Sequence, residues 1–182
     1  MDKLEKNIII EQTQHWIADF IVAHNICPFA GREVERDSIR FEVFESDDIA
    51  ESIQQLLKLC KLMDDDQSIE TSLFIYADAL TDFYQYLDIL DVANSLLLEQ
   101  GYEGIYQLAS FHPEYLFEGV DVDDASHFTN RSPYPMFHLI REKSLEKALT
   151  SFPNPEEIPE RNIAYCQQLG VTKLKQICEK KI

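Results

Sequence analysis

Residues 71–111 read TSLFIYADALTDFYQYLDILDVANSLLLEQGYEGIYQLASF, and this stretch decides the fold. Its first seven residues, Thr71 to Ala77, form a continuous apolar run of β-formers, which predicts a central strand. A helix follows from about Thr81 or Asp82 to Gln100, and Gly101 stands where a glycine past a helix C-terminus belongs. From Ile105 to Phe111 the β-formers return, predicting a further strand.

Working outward, Ser38 to Glu45 sets Ile39, Phe41 and Val43 against Arg40, Glu42 and Phe44 in strict alternation, another strand. Between it and Thr71, a helix is predicted from Asp47, a good N-cap, through Ile53, Leu56, Leu57, Cys60 and Leu62. The chain opens with an amphipathic helix from Lys3 to His24, which Asn25 and then Pro28 bring to an end, leaving NICPFAG as a turn. Met136 to Arg141 follows two prolines that deliver an extended chain, so a strand is preferred there over the start of a helix. Helices are predicted from Ser144 to Leu149, from the proline-led start near Asn154 to Gly170, and over residues 171–181. The alternation of strands and helices predicts one α/β (α+β) domain over residues 1–182: two or three layers, a sheet of three or four strands, right-handed crossovers and a helical C-terminus.

Composition narrows the function. A chain of 182 residues with 45% hydrophobic content has enough apolar surface for a core without disulfide or metal. Its 33 acidic against 16 basic residues give a formal charge of −17, which repels phosphate backbones and anionic membranes. Nucleic acid and membrane are therefore not expected partners. No signal peptide or membrane span is apparent, so a cytoplasmic setting is expected, and there Cys27, Cys60, Cys166 and Cys178 stay reduced.

The candidate active region is Ser110 to Glu142, too rich in turn formers to be one element. His112 precedes a proline at the end of a predicted strand, where side chains are presented to ligands; it is a candidate general base or ligand, or a histidine that satisfies a loop carbonyl. Asp123 and Asp124, with Asp121 and His127, offer oxygens and an imidazole that suit a divalent cation or a positioned water, or simply cap a turn around Ala125. No recognised metal loop is present, so neither metal nor cofactor is specified. Arg131, with Asn130 and Ser132 beside it, stands at the head of a segment stiffened by Pro133 and Pro135. Its planar guanidinium suits a carboxylate or phosphate, the alternative being a pair with Asp123, Asp124 or Glu142. Along HLIRE a strand sends His138 and Arg141 to opposite faces, whereas a helix gathers them; both are site candidates, His138 catalytic and Arg141 ligand-binding. Cys27 is expected as a packed thiol closing the first helix, and Arg161 as the partner of Glu157.

The strings NICPFAG, LASFHPEYLFEG, NRSPYPMFHLIRE and FPNPEEIPERN together resemble an uncharacterised family of bacterial proteins known only as a domain of unknown function. The resemblance runs from Trp16 to Gly170 and implies a bacterial cytoplasmic protein, with no activity or site residue to carry over. The residues themselves suggest a small enzyme, a hydrolase or transferase acting on an anionic small molecule, or else a non-catalytic metabolite- or protein-binding module.

Overall fold

The computed structural model describes residues 2–46 and 48–178. Four strands, β1 (Ile39–Phe44), β2 (Thr71–Tyr76), β3 (Tyr106–Phe111) and β4 (Met136–Arg141), form one mixed sheet in the order β1-β2-β4-β3. β1 and β2 pair in parallel, bridged by helix α3 (Ile49–Asp65), while β4 runs antiparallel to both of its neighbours. Helix α4 (Phe83–Glu99) therefore carries the chain from β2 past a vacant strand position to β3, and β4 later fills the gap. This split arrangement places the last strand at the centre.

Asp48 caps α3 by accepting the amides of Ala50 and Glu51, and Asp82 caps α4 through Gln85. The sequence places the α3 cap at Asp47, which lies outside the described residues, as do the final residues of its last helix.

Alternation along each strand separates two cores. Phe44, Phe74, Tyr76, Phe137 and Leu139 face α3 and α4, packing with Leu56, Leu59, Met63, Phe83, Tyr86 and Leu97. Val43, Leu73, Ile75 and Met136 face the other way, toward Ile9, Trp16, Ile17, Phe20, Cys166 and Leu174. That second layer consists of α1 (Lys3–Trp16) with its π-helical continuation Ile17–Val22, a short α2 (Ala30–Glu35), and α6 (Ile158–Leu169) with α7 (Val171–Cys178). Helix α5 (Glu142–Thr150) leaves β4 directly. Asn25 ends the first helical run in the left-handed conformation (φ 54°) that its short polar side chain tolerates, and α2 follows where the sequence predicts only a turn. Among the described residues no helix is long and apolar enough to cross a membrane.

Candidate functional site

The segment from β3 to β4 is built as a closed loop, and its histidines do the closing. His112 is fully buried at the end of β3, its ring packed on Phe83 at 5.2 Å and on Tyr86 at 5.1 Å. The Glu114 amide donates to Nδ1 at 3.0 Å, so the ring proton resides on Nε2, which donates to the Leu80 carbonyl at 3.0 Å. Leu80 itself adopts a left-handed backbone (φ 56°) unusual for a leucine. Burial lowers the His112 pKa, the Leu80 bond and the charges of Glu114 and Asp82 opposing that shift. Both nitrogens of this imidazole are thus committed to the frame, the arrangement in which a histidine satisfies a loop carbonyl.

His127 repeats the pattern ten residues from its partner: the Phe117 amide donates to Nδ1 at 3.1 Å, and Nε2 donates to the Asp121 carbonyl at 2.8 Å. It lies on a 3-10 turn (Ala125–Thr129) capped by Asp124, whose carboxylate accepts the Ser126 amide at 2.7 Å and the Gln167 side chain at 3.1 Å. The bonds from Ser126 hold the Asp124 carboxyl below its usual range. Asp121 accepts the Asp123 amide at 3.0 Å, a local turn on an exposed surface. Among the described residues no group of three or more His, Cys, Asp or Glu side chains is placed to hold a metal ion.

The two ends of the segment do meet, through backbone. The His112 amide donates to the Asn130 carbonyl at 3.2 Å, and Asn130 Nδ2 donates to the Ser110 carbonyl at 3.1 Å. Ser132 Oγ donates to the Tyr134 carbonyl at 2.6 Å, fixing the arm that leads into β4. Arg131 forms no ion pair with the acidic turn. Its Nε donates to the Tyr115 carbonyl at 3.2 Å and its guanidinium carbon lies 4.8 Å from the Phe128 ring centroid. Neither terminal nitrogen of this half-buried guanidinium has a hydrogen-bond partner among the described residues. Partial desolvation lowers its pKa, and the charge of Glu114 opposes that shift.

His138 and Arg141 project from opposite faces of β4, as a strand requires. Arg141 belongs to the α3 side. Nε donates to the Ile69 carbonyl at 2.9 Å, Nη1 to the Tyr106 hydroxyl at 3.0 Å and Nη2 to the carbonyls of Met63 and Asp66, so it ties the end of α3 to the sheet. On the other face, Thr71 Oγ1 donates its only proton to the Leu139 carbonyl, so the 2.6 Å contact to His138 Nε2 has the imidazole as donor. His138 Nδ1 has no partner among the described residues, and burial pushes this group down to about 4. No contact joins His138 to Arg131, His112 or Arg141 among the described residues.

The partners that decide these roles, Leu80, Tyr86, Tyr115 and Thr71, are not candidates on residue type or spacing. Only one carries a local signal: the turn His112-Pro113-Glu114-Tyr115, closed by the Tyr115 amide on the His112 carbonyl at 3.1 Å, has proline at its second position. Arg161 donates to the Asn25 carbonyl and to Asn162 Oδ1, while Glu157 accepts from Asn154, so the expected Arg161–Glu157 pair is replaced by a clamp on the turn before α2. Cys27 in that turn is half-buried against the α1-side core, and burial raises its pKa.

The fold and this loop define an α/β protein whose 112–131 segment is braced by two buried histidines, with the terminal nitrogens of Arg131 and, on the sheet face, Nδ1 of His138 left without a partner among the described residues. The chain belongs to DUF1415, described as a protein of unknown function, whose family model matches residues 8–176. Neither a curated protein nor a solved structure matches the chain.

Proposed function

We propose that this protein is a binding module for the anionic group, carboxylate or phosphate, of a small molecule, with Arg131 as its anchor. One observation carries the reading: Arg131 is held in plane by the Tyr115 carbonyl and the Phe128 ring, while both terminal nitrogens lack a protein partner among the described residues. A guanidinium so fixed presents a two-pronged donor whose ordering cost is already met. The formal charge of −17 opposes polyanions such as nucleic acid over long range, whereas a small anion meets chiefly the local field of one arginine. A cytoplasmic setting accords with four free thiols.

The test is a thermal-shift titration with inorganic phosphate, citrate and simple dicarboxylates. Saturable stabilisation by at least one of them, abolished in Arg131→Gln at unchanged baseline melting, is expected. If no anion stabilises the wild type, or the variant responds as the wild type does, the reading is wrong.

A catalytic reading, hydrolysis or group transfer on the same class of anion, is favoured by a different observation, the unpartnered Nδ1 of His138. A group held near 4 is unprotonated throughout neutral pH, so its free Nδ1 is available to accept a proton there, though as a weak base. Turnover by such an enzyme would be flat from pH 8 to about pH 5 and fall as His138 takes up its proton near pH 4. A His138→Gln variant with full activity would dismiss it.

A further inference from the structure

The two buried histidines of the 112–131 segment share one geometry, and it bears on how the loop responds to acid. In each, Nδ1 accepts a backbone amide of the same loop, Glu114 for His112 and Phe117 for His127. In each, Nε2 donates to a carbonyl, that of Leu80 at the entrance to α4 or that of Asp121 at the far end of the loop. The loop from Pro113 to Asp121 is therefore pinned by two imidazoles that hold it only while neutral. Protonation at Nδ1 turns the acceptor into a donor aimed at another donor, which removes a hydrogen bond and sets two N–H groups head to head inside the protein.

We infer that residues 113–121 form an acid-released latch, braced by the imidazoles of His112 and His127 and opened when the His112 ring takes up a proton. The inference does not depend on the binding reading for Arg131, since it concerns the loop amides alone. What opens is apolar: Tyr115, Leu116 and Phe117 are partly buried, with Tyr115 packed on Phe83 at 5.1 Å and Phe117 stacked on His127 at 5.9 Å. Release uncovers this surface beside the start of α4. It also removes the Tyr115 carbonyl that orients Arg131.

Burial and the charges around His112 set the direction. His112 faces Tyr86 and the cap residue Asp82 from α4, and Glu114 and Tyr115 from the loop; burial outweighs the two carboxylates and lowers its pKa. His127 has Asp124 beside it and the Asp121 carbonyl on its Nε2, and the neutral Gln167 of α6 donates to the Asp124 carboxylate. For His112 the released loop binds the proton at the ordinary value of 6.5 and the closed loop only at lower pH. Closure is therefore fully stable above 6.5 and weakens as the pH falls below it.

The test is hydrogen exchange on the full chain, followed at the amides of Glu114 and Phe117 from pH 8 to pH 5 and corrected for the intrinsic exchange rate. Protection of these two amides is expected to fall by up to about tenfold per pH unit as His112 is protonated, while the amides of Phe74 and Leu139 in the sheet keep theirs. Protection that stays constant to pH 5, or that falls in step with the sheet, overturns the latch. Nitrogen-15 shifts of the two rings give a second readout: both must report the Nε2–H form at pH 8, and a Nδ1–H form at either ring is equally fatal. In a double His112→Asn, His127→Asn variant, an amide oxygen accepts where Nδ1 did and takes up no proton. Its loop protection is expected to be independent of pH, and a residual acid-dependent loss in that variant would assign the opening to other groups.

Discussion

Arg141 and Arg131 are ten positions apart on the same segment and have opposite fates. All three nitrogens of Arg141 donate to protein oxygens, four of them in different places along the chain: Met63, Asp66, Ile69 and Tyr106. Removing it leaves carbonyls at the end of α3 without their donor, so Arg141→Ala is expected to lower stability by about 2–3 kcal/mol in urea unfolding. Arg141→Lys should recover less than half of that, because one ammonium cannot reach separated carbonyls. Arg131 makes one hydrogen bond and one ring contact, and Arg131→Ala should cost below about 1 kcal/mol by the same measurement. Both residues read in the sequence as anion clamps, since residue type and proximity to proline are the same evidence for each. What separates them is whether protein acceptors lie within reach, and those of Arg141 come from residues more than thirty positions away.

At the level of elements, β4 matters most. Phe137 is fully buried, ringed by Tyr76 at 5.2 Å and Tyr86 at 5.2 Å, and Tyr86 also donates to the Met136 carbonyl while accepting the Phe111 amide, stitching β4 to β3 where their pairing ends. Phe137→Ala is therefore expected to cost about 3–5 kcal/mol, measured by chemical denaturation, against the much smaller effect of truncating a residue on the outer face of α4 such as Val92, which is 50% exposed. The proline-led approach made β4 readable as a strand. Its insertion between β2 and β3 was not readable, because strand order follows from which edges bury most apolar surface, and residues 136–141 carry no local mark of their neighbours. Helix α2 carries no sequence signal for a related reason: at six residues it is too short to persist alone and is held by packing and by Ser38, whose hydroxyl donates to Glu33 at 2.7 Å.

For the molecule as a whole, the layered packing governs chemistry at the four thiols. Cys60 and Cys166 are fully enclosed, and burial lifts them to about 12 and about 11, while burial also raises half-buried Cys27. Alkylation of the folded protein at pH 7.5, read by mass spectrometry, should leave Cys60 and Cys166 unmodified and label Cys27 more slowly than a free thiol, with all four reacting once denatured. The amino-acid sequence by itself determined the α/β class, three strands with a fourth preferred, most helices, the strong negative charge and the family likeness, because periodicity, caps and composition are local or additive properties. Only the tertiary structure decided which polar side chains keep an open valence. His112 meets a carbonyl 32 positions away and His138 a hydroxyl 67 positions away, and whether a buried imidazole is a base or a brace depends on those distant partners, which folding alone brings into hydrogen-bond range.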